Sequence, residues 1–300
     1  MPARYLALVL CIHVATSWAQ ATQDAALAVE QVAPGVHVLY GEGGNIGVSA
    51  GADGVFLVDD QYAALTPKVL EALAKIHPDE PRFVLNTHWH SDHTGGNENL
   101  ARQGSVIVAH DQVRARMASE QFSRFFDRKT PASPEGALPV VTFNDGVTFH
   151  LNGEEMRAHH VPQAHTDGDA FIHFRNANVI HTGDLVFAGM YPFIDLDSGG
   201  SVAGLIAAVD RMLQIADGST RIIPGHGKVT DRAGLEAYRA MLATTSGRMR
   251  ELVNAGKTVE QVLAEKPFAA LDETLAWQFI TAERYVRILY RDAAASSPVK

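Results

Sequence analysis

The chain has 300 residues, 46% of them hydrophobic and 20% charged, with 25 basic and 34 acidic side chains and a formal net charge of −9. That length supports a large core, and a mean hydropathy of −0.03 excludes both a disordered chain and a polytopic membrane protein. The acidic balance argues against a nucleic-acid partner, and the densest basic stretch, Arg114 to Lys129, is broken by Glu120 and Asp127.

The N-terminus reads as an export signal over residues 1–21. Arg4 precedes a short apolar run, and Ala19 and Ala21 offer small residues for cleavage. The run is about half of the ~20 residues that a spanning helix needs, so no stable membrane insertion is expected after cleavage. The mature chain, 22–300, is expected to be periplasmic or secreted. Cys11, the single cysteine, lies inside the signal. Any metal site of the mature chain must then be built from nitrogen and oxygen.

Strands are predicted over 36–40, 46–50 and 55–58, separated by Gly43-Gly44-Asn45 and Ala52-Asp53-Gly54, which are turn signals. The glycines of 41–47 read as turn residues. Leu65, Val69, Leu70, Leu73 and Ile76 recur at helical spacing. Strands follow over 82–86 and 106–109, then a helix over 110–126 and a loop over 129–139. The second half repeats the theme. Strands fall over 140–143, 147–151, 155–160, 170–174 and 179–181. A helix follows with Val202, Leu205, Val209 and Met212 on one face and Ser201 as its cap, and then a strand over 221–223. From about 231 the tail reads as helical, with Leu275, Phe279, Val286 and Leu289 on a last helix. Two blocks of strands followed by helices predict two sheets packed face to face with helices outside.

The informative stretch is Asn86-Thr87-His88-Trp89-His90-Ser91-Asp92-His93-Thr94-Gly95-Gly96, directly after an apolar strand. In extended chain, residues two apart point the same way, so His88 and His90 can grip one metal ion together. Asp92 and His93 then turn toward a neighbouring position, and imidazole and carboxylate are both good zinc donors.

This stretch resembles the signature of the metallo-β-lactamase-fold hydrolases, and further motifs of that family follow in order. They are Ala164-His165-Thr166-Asp167-Gly168-Asp169, His181-Thr182-Gly183-Asp184 and Ile223-Pro224-Gly225-His226-Gly227, with Asp59 ending an early strand. The resemblance covers about Val36 to Lys228. It implies an α/β fold, the αβ/βα four-layer sandwich of two mixed β-sheets flanked by helices, as a single metallo-β-lactamase-like domain over 22–300. It implies that His88, His90 and His165 hold one metal, that Asp92, His93 and His226 hold a second, and that Asp184 bridges them. Asp59 would support the ligands from behind, and Asp92 would act in catalysis by orienting the nucleophile.

The implied cofactors are two Zn2+ per chain, with iron or manganese as the other metals this ligand set admits. The implied activity is a dinuclear zinc-dependent hydrolase, whose metal-bridging hydroxide attacks the carbonyl of a small-molecule ester, thioester, lactone or amide. An aspartate at 184 points away from β-lactam hydrolysis as the main activity and leaves it as a promiscuous one, and Phe187, where lactonases of the family carry tyrosine, points away from a lactonase. The alternatives within the fold are an iron-dependent, persulfide-dioxygenase-like oxidoreductase and a phosphodiesterase. Phe187, Met190 and Tyr191, on an apolar loop after Asp184, are candidate pocket residues. His159, His160, His173 and His181 read as structural hydrogen-bonding histidines.

Overall fold

The computed structural model describes residues 26–296; the stretch read as an export signal, with Cys11, lies outside them. The chain begins with β1 (Ala28–Ala33), β2 (Val36–Tyr40), β3 (Ile46–Gly51) and β4 (Gly54–Val58), paired antiparallel in sequence. Helix α1 (Thr66–Ala74) returns the chain to β5 (Pro81–Leu85), which runs parallel to β4. Short helices α2 (Ser91–Thr94) and α3 (Asn97–Arg102) lead to β6 (Val106–His110), and α4 (Asp111–Met117) to a two-stranded hairpin, β7 (Gln121–Ser123) and β8 (Arg128–Thr130). Strand β9 (Val141–Phe143) closes a seven-stranded sheet of order β1-β2-β3-β4-β5-β6-β9.

The second sheet takes β10 (Gly146–Leu151), β11 (Glu154–His160), β12 (Ala170–Phe174), β13 (Val179–His181), β14 (Arg221–Ile223) and β15 (Thr230–Asp231) in sequential order. Its crossover helix α5 (Val202–Ile215) joins β13 to the parallel β14. The Ser201 side chain caps that helix by accepting from Gly204 N. The tail folds as α6 (Arg232–Asn254), α7 (Val259–Glu265), α8 (Ala269–Leu275) and α9 (Ala282–Ser296). Among the described residues no helix is long and apolar enough to cross a membrane.

Burial sorts the strand residues into layers. In β4 the whole run is buried, because a central strand packs on both faces. Phe56 and Val58 face Met156, Ile172 and Phe174 of the other sheet. Val55 and Leu57 face Val69 and Leu73 of α1 and Leu100 of α3. On the far side Phe171, Ile180 and Ile222 pack against Leu205 and Val209 of α5 and Leu242 of α6. The architecture is the αβ/βα four-layer sandwich, two mixed sheets with helices outside.

Three local expectations are corrected. Residues 118–126 do not continue a helix: α4 stops at Met117 and the chain turns into the hairpin. Phe279 does not belong to the last helix, which starts at Ala282; it is an exposed residue of the segment between α8 and α9. Strand β1, unpredicted, pairs with β2 along the sheet edge and has no buried residue, so it lacks the apolar alternation that betrays a buried strand.

Candidate metal centre

The candidate residues are gathered at one edge, each just beyond the C-terminal end of a strand. His88, His90, Asp92 and His93 follow β5, His165 follows β11, Asp184 follows β13 and His226 follows β14. They stand in two groups, His88, His90, His165 and Asp184 in one, and Asp92, His93 and His226 in the other. Asp184 faces both. Its Oδ2 lies 3.8 Å from His88 Nε2 and 3.6 Å from His165 Nε2, and its Oδ1 lies 3.1 Å from His93 Nε2 and 3.4 Å from His226 Nε2. Asp92 Oδ2 sits 3.3 Å from His226 Nε2 and 3.5 Å from His93 Nε2.

Hydrogen bonds on the far side of the rings of His88, His90, His93 and His165 orient them. His93 Nδ1 donates to Asp59 Oδ2 at 2.8 Å. Thr87 Oγ1 donates to the same oxygen at 2.8 Å, and Thr87 N donates to Asp59 Oδ1 at 2.7 Å. With its proton committed, Thr87 Oγ1 accepts from His88 Nδ1 at 3.1 Å. His165 Nδ1 donates to the Phe193 carbonyl at 2.9 Å, and His90 Nε2 donates to Asp195 Oδ2 at 3.1 Å. The nitrogens turned inward are therefore Nδ1 of His90 and Nε2 of His88, His93 and His165. Asp59 supports both groups, one directly and one through Thr87, and holds φ at 65° to do so, outside the ordinary range of a non-glycine residue. Asp195 and Thr87 were missed by the sequence reading; Asp195 lies 105 positions from its partner and carries no local motif.

Electrostatics divide the groups. Burial, together with neighbouring His93, keeps His88 well below the usual imidazole range, and burial lowers His165 to about 4. In the other group burial also opposes charge, but Asp184 and Asp92 overcome it. They lift His226 to about 9 and, with Asp59, hold His93 well above its ordinary value. Asp184 is buried yet stays ionised, because His93 and His226 outweigh its desolvation.

This donor set fits metal. His90 Nδ1 lies 3.0 Å from His88 Nε2 and 2.9 Å from His165 Nε2 with lone pairs facing one another, an arrangement a cation satisfies and a hydrogen bond does not. His93 Nε2 and Asp184 Oδ1 are buried and face each other at 3.1 Å without hydrogen-bond geometry. A pH dependence follows. Metal needs the deprotonated nitrogens of His93 and His226, which hold protons at neutral pH in the metal-free protein. Loading at pH 7 is expected to release about two protons per chain, and affinity to rise with pH as both groups lose their protons, His226 at about 9. Calorimetric titration with zinc in buffers of different ionisation heat measures this; a heat independent of buffer would contradict it.

The groups open onto a cavity of about 610 Å³, reached past Trp89, Asp92, Phe187 and His226. Phe187 lines it, stacked on His226 with ring centroids 5.1 Å apart. Met190 and Tyr191 do not line it, a correction to the pocket expected from sequence. Met190 packs on the helical core, and Tyr191 is fully buried with its hydroxyl donating to Asp272 at 2.9 Å. Tyr191→Phe is expected to lower stability by about 1 kcal/mol and leave kcat/KM within about twofold, measured by thermal melting and steady-state kinetics. A large kinetic loss at unchanged stability would return Tyr191 to the substrate site. Of the histidines set aside as structural, His181 Nε2 donates to the Asn45 carbonyl, and His160 Nδ1 to that of Asp169.

Residues 39–226 match the family model of the metallo-beta-lactamase superfamily. A hydroxyacylglutathione hydrolase of Anaeromyxobacter dehalogenans is 29% identical over 238 residues, 75% of this chain and 80% of that protein. An atrochrysone carboxyl ACP thioesterase of Aspergillus terreus is 30% identical over 146 residues, 49% of this chain and 37% of that protein. The chain spans about two fifths of the length of this thioesterase and of a lactamase-like protein of Emericella nidulans. Among solved structures, a metallo-beta-lactamase from Pontibacter korlensis superposes with a TM-score of 0.59 at 20% identity, covering 72% of this chain and 98% of that one. The chain belongs to the metallo-beta-lactamase superfamily: it is a hydrolase of that fold, with a cluster of histidines and aspartates that can hold metal.

Proposed function

We propose that the chain is a dinuclear zinc hydrolase that cleaves the acyl bond, between carbonyl carbon and leaving oxygen, sulfur or nitrogen, of a small ester, thioester, lactone or amide. The observation that carries this reading is Asp184, whose two oxygens face two separate groups of imidazoles. His88, His90 and His165 would hold one ion, Asp92, His93 and His226 the other, and Asp184 would span them. Bound there, zinc would supply Lewis acidity and water activated near neutral pH. Asp92 is pulled down to about 2, since His93 and His226 outweigh the cost of burying it; it stays ionised and accepts a hydrogen bond from the attacking group, orienting it. Asp195 holds His90 in the tautomer that ligation requires, and Asp59 does the same for His93. The names of the two relatives, a hydroxyacylglutathione hydrolase and an ACP thioesterase, favour a thioester among the carbonyl compounds. Export to the periplasm or beyond is part of the same proposal and rests on the N-terminal pattern alone.

The test is metal analysis of the purified protein with a panel of thioester, lactone, β-lactam and phosphodiester substrates. Two zinc ions per chain and thioester or ester turnover are expected. Turnover of phosphodiesters alone, or bound iron with oxygen consumption, would overturn the reading.

A further inference from the structure

The cavity over the metal centre is walled on one side by rings from three distant stretches of chain. One line of rings starts at His226, reaches Trp277 at 5.9 Å between centroids and continues to Phe279 at 5.5 Å. Another starts at His90 and His165, reaches Phe193 at 5.9 and 5.8 Å, and continues to Phe126 at 5.2 Å. The two lines meet where Phe126 and Phe279 stack, 5.3 Å apart and 24° from parallel. A path of aromatic faces thus runs from the ligands of both groups out to solvent.

The wall is held in place by polar bonds. Trp277 Nε1 donates to the Tyr191 carbonyl at 2.9 Å, which satisfies the indole and leaves its face to the cavity. Arg284 donates to the Phe279 carbonyl at 2.6 Å and lies over the Phe126 ring, its guanidinium carbon 5.7 Å from the centroid. The outer end is not core packing. Phe279 is 41% exposed, and Phe122 and Tyr62 at the same mouth are 48% and 40% exposed. Among the described residues these are three of the six large hydrophobic side chains left in water, and all three line one cavity. Apolar surface gathered at a cavity mouth marks a binding surface.

We propose that this wall selects substrates carrying an aromatic ring on a short link to the scissile carbonyl, with Trp277, Phe279 and Phe126 as the specificity-determining residues. The proposal rests on the carbonyl-hydrolase reading above for the bond that is cleaved. The wall itself is a claim about what binds. A flat ring entering the cavity stacks on faces already fixed in orientation, so little conformational freedom is lost on binding. A short acyl chain reaches the metal ligands without covering the exposed rings.

Two measurements test it. The first compares kcat/KM for S-ethyl thioesters of acetate, 3-cyclohexylpropanoate and 3-phenylpropanoate, which share one leaving group. The zinc-loaded enzyme is expected to prefer phenyl over acetyl by at least about tenfold and phenyl over cyclohexyl by a smaller factor. In Phe279→Ala and Trp277→Leu the phenyl-to-acetyl ratio is expected to fall about tenfold, the size of one aromatic contact. The second follows binding of 2-acetonaphthone, an aryl ketone with no leaving group, by quenching of tryptophan fluorescence in the same loaded protein. Phe279→Ala is expected to weaken it about tenfold; Phe279 is exposed, so this variant keeps the test open should Trp277→Leu fail to fold. Thioester turnover without a phenyl preference, with ketone binding indifferent to Phe279, would overturn the wall and leave the carbonyl reading intact. Ketone binding that depends on Phe279, with no thioester turned over, would keep the wall and overturn that reading.

Discussion

Asp184→Asn is expected to lower kcat/KM by about a thousandfold and to reduce bound zinc from two ions to one per chain. Asparagine keeps the shape of the side chain, so the change is chemical. The two carboxylate oxygens face different imidazole groups, 3.1 Å from His93 Nε2 on one side and 3.6 Å from His165 Nε2 on the other. An amide has one acceptor oxygen; its NH2 must turn toward one of the groups, where it presents hydrogens to lone pairs. One unit of negative charge is lost at the same time, and with it the attraction that holds His93 and His226 protonated in the metal-free protein. Losses of two to three powers of ten are ordinary when one preorganised electrostatic contact is removed from an active site, and here one group loses its oxygen and both lose the charge. Metal analysis and steady-state kinetics on the purified variant check this. Two zinc ions and near-normal turnover in Asp184→Asn would refute the bridging role.

Gly44→Ala carries the second large effect, and it tests volume alone, since the φ of Gly44 is not positive. A β-carbon at Gly44 would fall on the imidazole ring of His93. Neither partner can yield. The ring is fully buried and tied to Asp59 on its far side. The backbone of Gly44 donates to the Asp92 carbonyl at 3.0 Å, and the next residue, Asn45, bonds the carbonyls of Pro224, Gly225 and Gly227. The methyl must either break this seam or rotate His93 off its support. A fall of about a hundredfold in kcat is expected, the usual result of moving a catalytic group by about 1 Å, with about 1–3 kcal/mol lost in stability. Gly218→Ala, where a β-carbon meets nothing within 4 Å, is the control. Equal behaviour of the two variants in melting and kinetics would show that the Gly44 contact is not needed. The glycines of 41–47, read from sequence as turn residues, thus include one whose job is to let the backbone pass over a ligand ring.

Local elements were legible where one residue's environment repeats along the chain. Strands β2, β12, β13 and β14 fall where apolar runs between turn residues placed them, because each is buried against a sheet on one face and a helix or sheet on the other. Reading failed where a ring is apolar for a reason other than burial in a helix or strand. Phe122 and Phe126 fall inside the helix expected over 110–126, and Phe279 was placed on the last one; all three line the cavity instead. Asp195 and Trp277 gave no signal, since neither lies in a motif and the ligand histidine that each touches is tens of positions away.

The H-x-H-x-D-H stretch alone determined that four metal-type donors sit together after a strand, because alternation and a tight turn are properties of neighbouring residues. Its resemblance to a known family supplied the other three positions in order. Only the tertiary structure decided that the two oxygens of Asp184 face two groups, which tautomer each histidine holds, and which rings wall the cavity. Those are facts of distance between chain segments far apart in sequence, brought to one edge by the packing of two sheets.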